Sequence, residues 1–471
     1  MLFHSLQFLA FFAVVFFGYW LVARWRVPRL LVLLGASVAF YAAWNPWPLL
    51  LFAAYAVINL VTSRTLERVT RPAARKAVLA TAVTLQLGCL CLFKYGNLFL
   101  GTSGWLLRRL GLQVQAPVLD LVLPLGLSFV TFQAISYLVD VYRGQVSGRH
   151  GMLAQLTYLL FFPTVVSGPI VRAKDLLERF DQPPSLDPLD GAQGLFRMAM
   201  GIAKKLLLAD VLAAGLVNPV FADPTLYTSA ECAIAAVAYS LQLYFDFSAY
   251  SDVAIGAARM FGFQLPENFD KPYHARNLFE FWNRWHISLS SWLRDYFYIP
   301  LGGSRGSRLQ TLRNLFLVMT LGGLWHGAGW RFALWGGIHG GLLVLLRTWW
   351  WIRGRPKSYG LFGTTFGVAT TFSLVVLTRI FFRANDVPQA VTYFHRLLEF
   401  TPGLANVSPL LWATLIGTGL AYLTPRSLFD RGAELFAHAP IPARAVALVG
   451  LGLLLRQVAG IEVQPYIYFQ F

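Results

Sequence analysis

The chain has 471 residues, 56% of them hydrophobic and 13% charged, and it carries a net charge of +17 with an isoelectric point of about 10.0. Soluble proteins carry about 25% charged residues, so a soluble globular class is excluded. Repeated uncharged runs of spanning length indicate an all-α polytopic membrane protein. In a soluble protein the basic balance would suggest nucleic acid. Here Lys and Arg gather in loops, where the positive-inside bias and anionic lipid heads account for them, and no nucleic acid is expected as a partner.

The length suits one bundle, residues 1–471, rather than two domains. Tryptophan is abundant, with 15 residues, as expected of rings that anchor at the two membrane interfaces. Cys89, Cys91 and Cys232 lie among apolar residues without metal-type neighbours. They read as packing residues, and no metal site is expected.

The first span is expected at Leu6 to Val22, uncleaved because no basic leader or cleavage site precedes it. Arg24, Arg26 and Arg29 put the following loop in the cytoplasm. A second span, Leu30 to Trp44, turns at the uncharged Asn45-Pro46-Trp47-Pro48, and a third ends in Arg64, Arg68, Arg71, Arg75 and Lys76. Ala77 to Phe93 is the fourth, and Gly101 to Val118 reads as a loop or interfacial segment. Leu123 to Gly144 is polar for a lipid-facing helix and should face protein or water. The next apolar segment is broken by Pro163 and Gly168-Pro169; such backbone is tolerated where it is buried in protein or lines a cavity.

Phe180 to Gly191 reads as a loop, Gly194 to Val220 as a helix carrying Lys204 and Lys205, and Ala230 to Phe263 as a helix carrying Asp246 and Asp252. Six residues apart, these aspartates point in different directions and are not a carboxylate pair; burial against a polar partner is expected for at least one. Later spans are expected at Gly360 to Phe382, Pro409 to Leu423 and Ala445 to Leu455. In all, about eleven spans with one or two re-entrant or interfacial helices are expected.

The stretch from Phe281 to Gly340 carries the chemistry. On a continuous helix from Leu278 to Tyr298, Trp282, Trp285, Leu289, Trp292, Leu293 and Tyr296 share one face, with Glu280 and Arg284 in favourable i,i+4 order. His286 falls at the edge of the aromatic face, where a backbone-satisfied histidine and a catalytic one are both admissible. His326 lies in a run with no charged residue between Arg313 and Arg331. An imidazole there is costly to protonate and suits a general base. Gly322, Gly323, Gly327 and Gly329 admit a neighbouring helix or a thin substrate chain. Trp325 and Trp330 are candidate channel walls, together with Asn283 and Trp285. The alternative for His326 is a glycine-rich packing motif with one buried histidine, and His339 is a weaker third candidate. The chain contains no G-x-S-x-G, no H-E-x-x-H and no Walker loop.

At WNRWHISLSSWLRDYFYIPLGG, LGGLWHGAGW, LQLYFDFSAYSDVAIG and PENFDKPY the sequence resembles the membrane-bound O-acyltransferase (MBOAT) superfamily. The branch it resembles most contains the alginate O-acetyltransferase membrane component; the D-alanyl transfer protein of teichoic acid synthesis is more distant. The resemblance implies helices around a central funnel, with a catalytic core over approximately residues 123–345. It implies acyl transfer across the bacterial inner membrane, with His326 as the essential histidine and His286 as the second polar position. It implies no bound cofactor, the donor substrate being an acyl thioester of coenzyme A or acyl carrier protein. Implied partners are a polysaccharide acceptor, an extracytoplasmic SGNH or esterase-like acetyltransferase, and membrane lipids. The aromatic tail, residues 461–471, resembles the terminus of a small partner peptide of the D-alanyl system, and this suggests Tyr468 as an acyl relay; the alternative is an interface anchor. The expected function is therefore transfer of an acyl group, acetyl foremost, to an exported polysaccharide such as alginate. D-alanyl or longer-acyl transfer, and a non-catalytic transporter or structural subunit of an export complex, are the alternatives.

Overall fold

The computed structural model describes residues 1–471 except 114, 116, 186, 459–464 and 468–471. Among the described residues the secondary structure is helical, with one isolated bridge pairing Phe269 and Trp285. Among the described residues four helices are long and apolar enough to cross a membrane: Pro48–Arg68, Pro72–Arg109, Ser229–Met260 and Leu361–Arg383. Leu6–Leu21, Leu127–Tyr142 and Pro409–Leu423 are shorter apolar helices. The all-α membrane architecture expected from composition is the one observed. The chain divides into two compact units, Met1–Ser185 with Phe261–Leu265, and Leu186–Met260 with Pro266–Phe471.

The first unit contains α1 (Leu6–Leu21), α2 (Arg26–Ala42), α3 (Pro48–Arg68), α4 (Pro72–Arg109), α5 (Leu127–Tyr142) and α6 (Met152–Leu160). The stretch from Gly101, expected as a loop or interfacial segment, is helical as far as Arg109, since α4 runs unbroken for 38 residues. No proline interrupts it, and an apolar sequence keeps its backbone bonds intact in lipid. Helix α5 is buried on nearly every side, as its polar content requires. Gln133, for example, donates to the Tyr158 carbonyl at 2.9 Å. The broken segment after α6 is core packing. The Phe162 ring meets Phe11 at 5.5 Å and Phe261 at 5.9 Å, and its N–H donates to Ser37 Oγ at 3.1 Å. Gly126, at φ +77°, abuts this segment, and a Cβ there would lie 2.2 Å from the Val165 carbonyl oxygen.

The second unit begins with α7 (Pro188–Ala203), which continues through π-helical turns at Lys204–Ala209 and Ala213–Val217. It packs on α8 (Ser229–Met260). The two consecutive lysines diverge to separate aspartates of α8. Lys204 reaches Asp252 at 2.6 Å, while Lys205, 1% exposed, bridges Asp246 at 2.6 Å and Asp210 at 2.7 Å. Both aspartates are thus buried against cations, each with its own partner. Asp252 also accepts from Arg197, which grips Glu267 through two bonds of 2.8 and 2.6 Å. Glu267 lies in the loop after α8. Burial raises its pKa, but the hydrogen bonds and charge of Arg197 outweigh this and hold it below the ordinary carboxylate value.

There follow α9 (Leu278–Arg284), α10 (Ile287–Leu293), α11 (Arg308–His326), α12 (Trp330–Arg353), α13 (Leu361–Arg383), α14 (Val387–Leu398), α15 (Pro409–Leu423), α16 (Arg426–His438) and α17 (Ile441–Val458). Helices α11 and α12 form a tight hairpin on Gly323 and Gly336. A Cβ on Gly323 would sit 2.3 Å from the Phe332 carbonyl oxygen, and one on Gly336 would sit 2.3 Å from that of Met319. The glycines of the His326 motif therefore admit a helix, one of the two occupants expected of them. Gly322, beside them, lines a cavity, and a Cβ there would lie 3.2 Å from Leu293 Cδ1.

Candidate active site

The expected continuous helix over 278–298 is broken at Trp285 and His286, and its single aromatic face is lost with it. His286 adopts φ +45° and ψ +56°, a left-handed conformation that few residues other than glycine adopt. The loop before α9 holds it there. Asp270 N–H donates to the Arg284 carbonyl at 2.9 Å, and the Ile287 N–H donates to the Asn268 carbonyl at 2.9 Å. The Asn268 side-chain oxygen accepts from Ser288 N–H at 3.2 Å and Ser288 Oγ at 2.9 Å. Strained backbone of this kind persists only where surrounding bonds over-determine it. Glu280 pairs with Arg276 at 2.7 Å rather than with Arg284.

The break turns His286 inward. It is 0% exposed, with its ring 4.7 Å from Phe247 and 5.9 Å from Trp325. His326 closes α11, and its ring lies 6.4 Å from that of His286. Aromatic rings box His326 on three sides: Trp325 at 5.0 Å, Trp335 at 5.4 Å and Phe382 at 5.2 Å, all near edge-to-face. His339, one turn along α12 from Trp335, has Nε2 3.0 Å from Thr378 Oγ1.

His326 lines a cavity of about 320 Å³. Along α11 its wall runs from Leu315 to His326, which is about 16 Å of helix. Along α12 it runs from Arg347 to Trp335, and Arg294, Tyr298 and Ser304 line it too, with Ser304 next to Gly303, whose carbonyl accepts from Asn314. Asn283, Ser290 and Gly322 line it as well. A slender chain entering beside the arginines would therefore meet the imidazole. His326 is 4% exposed, so a group brought to it is screened from bulk water.

The structure brings His326, His286, Trp325 and Trp285 together and sets Asn283 on the cavity wall. Trp330 lies apart, 59% exposed at the start of α12 and outside the lining. His286 lines neither this cavity nor the smaller one beside it. Tyr468 lies outside the described residues. The segment before it is docked: Ile467 N–H donates to Asp246 Oδ2 at 2.9 Å, and the Tyr466 ring centroid lies 4.8 Å from Lys205 Nζ. Among the described residues, no three His, Cys, Asp or Glu side chains are grouped to hold a metal.

Sequence reasoning missed Asn268, Trp335 and Arg379. Asn268 lies within PENFDKPY, but its role was not legible there, since its partners are 17 to 20 residues away. Arg379 was legible, as the one charge inside the apolar run from Gly360 to Phe382.

The model of the MBOAT, membrane-bound O-acyltransferase family, matches residues 79–350. The chain is 39% identical to a probable alginate O-acetylase of Pseudomonas aeruginosa, over 94% of this chain and 84% of that protein. It is 34% identical to a peptidoglycan O-acetyltransferase of Helicobacter pylori, over 85% and 79%. It is 30% identical to a teichoic acid D-alanyltransferase of Streptococcus thermophilus, over 56% and 69%. With a buried histidine lining a cavity in an apolar helical protein, these matches identify the chain as a member of the membrane-bound O-acyltransferase family, a membrane-embedded O-acyltransferase.

Proposed function

We propose that the protein carries an acetyl group from a cytoplasmic thioester donor across the bacterial inner membrane toward an exported polysaccharide, with His326 as general base. The observation that carries this reading is His326 itself, buried on the wall of a cavity that follows about 16 Å of α11. Arg294 and Arg347 line it, and Arg305 and Arg308 follow the lining residue Ser304 in sequence. Arginines there favour a cytoplasmic orientation and attract a phosphate-bearing donor, either acetyl-coenzyme A or an acylated carrier protein.

In this reading the thioester carbonyl stops beside His326. The imidazole takes the proton of an attacking hydroxyl while its oxygen bonds to the carbonyl carbon. The carbon–sulfur bond then breaks, and the departing thiolate receives the proton from the imidazolium. General base catalysis of this kind contributes about 10²- to 10⁴-fold. Donor positioning or oxyanion stabilisation by His286 would need a face on the cavity, which it lacks in this conformation. We therefore assign it a positioning role, exerted through Trp325 and His326. Tyr468 is the proposed first acceptor, handing the group to an extracytoplasmic SGNH or esterase-like transferase. Docking of Pro465 and Ile467 on Lys205 and Asp246, which precedes the His286-contacting Phe247 in sequence, supports this reading.

The relatives named for O-acetylation match over most of the chain, and the D-alanyltransferase over about half of it. This favours acetyl over D-alanyl as the group moved. The test is ester-linked acetate released by mild base from envelope polysaccharide, at equal membrane abundance of wild type and variants. His326→Ala should lose it. Retention of acetate would remove His326 as base, and retention in Tyr468→Phe would remove the relay.

A further inference from the structure

We propose that a small cavity adjoining His326 is the acyl pocket, admitting the methyl of an acetyl group and rejecting longer acyl chains and those that carry an ammonium. The proposal rests on the reading of His326 as the acyl-transfer base. His326 and Trp335 line both the long cavity and a second one of about 10 Å³. That is the room of a single water molecule, for which about 10–15 Å³ is needed. If a thioester lies with its carbonyl at His326 and its sulfur arm in the long cavity, its acyl tail points into the small one. Acetyl places one carbon beyond the carbonyl, and butyryl places three.

The walls are rigid. Val375 is 1% exposed and Leu243 3%, and the Phe382 ring is packed at 5.1 Å from that of Trp335. Close-packed surroundings of this kind do not yield a further methylene without strain.

Arg379 sets the charge of the pocket. It lines the cavity, is 3% exposed and lies within an apolar span. It donates to the Ser240 carbonyl at 3.3 Å and to the Tyr273 hydroxyl, and its guanidinium carbon lies 4.3 Å from the Trp285 ring centroid. Among the described residues it makes no ion pair with a carboxylate. The ammonium of an aminoacyl group would meet this cation at low dielectric, a repulsion that discriminates against that class of donor.

The test compares acetyl-, butyryl- and alanyl-coenzyme A, and the same three groups on pantetheine, as donors to membranes containing the full-length protein. The readout is the ratio of base-labile label incorporated from each donor. A ratio taken on one preparation cancels differences in folded amount. Wild type should use butyryl at less than about one-tenth of the acetyl rate, and Val375→Ala or Leu243→Ala should raise that ratio about tenfold. Arg379→Met should raise the alanyl-to-acetyl ratio by about tenfold or more and leave the butyryl ratio in place. Equal use of butyryl and acetyl by wild type would overturn the proposal, as would ratios unmoved in both wall variants. Normal acetyl transfer by His326→Ala would overturn the base assignment instead, and the ratios would still decide the pocket.

Discussion

Gly323→Ala is the sharpest test of how the hairpin of α11 and α12 holds the site. The added Cβ would lie 2.3 Å from the Phe332 carbonyl oxygen and 2.9 Å from Gly336 Cα, where ordinary contact begins at 3.4 Å. The two helices must part by about 1 Å, an overpacking that costs about 1–3 kcal/mol. His326 lies three residues along the same helix, on the same side. Its ring is fixed against Trp335 of the partner helix, so the parting is felt at the imidazole. A displacement of that size at a reacting group costs about 10²-fold in rate. Gly341→Ala is the control, since no heavy atom lies within 4 Å of its added Cβ. The assay is base-labile acetate per unit of membrane protein, together with the thermal midpoint in detergent. Gly323→Ala should lose acetyl transfer almost entirely with a modest fall in midpoint, and Gly341→Ala should match wild type. If the two behave alike, helix contact at Gly323 does not set the position of His326.

Lys205→Met leaves Asp246 and Asp210 without their shared cation and should destabilise by about 3–5 kcal/mol. Arg294→Ala, which breaks a surface pair with Asp295, should cost about 0–1 kcal/mol. Equal losses in denaturant titrations would show that burial does not amplify the first pair. Glu267 gives a pH dependence. Its folded pKa is held below its ordinary value of 4.5, so its contribution is present above that value and is lost as pH falls through the depressed one. Thermal midpoints between about pH 6 and pH 3 should fall more steeply in wild type than in Glu267→Gln. Parallel acid limbs would refute the role given to Arg197.

The membrane class was written in the chain by itself, because an uncharged run of spanning length has few alternatives to a helix that satisfies its own backbone in lipid. His326 stood out for the same reason, as an ionisable group in a run with no other charge. The divergence of Asp246 and Asp252 also followed from helical spacing alone.

The tertiary structure decided what depended on partners distant in the chain. From 278 to 298 the apolar pattern reads as one helix. Hydrogen bonds from Asn268 and Asp270 pull His286 into a left-handed conformation and divide it. No local propensity encodes such a break, because histidine is unfavourable there and only the loop offsets the strain. The cation of Asp246 is 41 residues away and its tail donor, Ile467, 221 residues away, so neither could be read from periodicity. Arg379 was visible as a lone charge in an apolar span. That it would share a cavity with His326 depended on how α13 packs beside α12, which only the folded chain specifies.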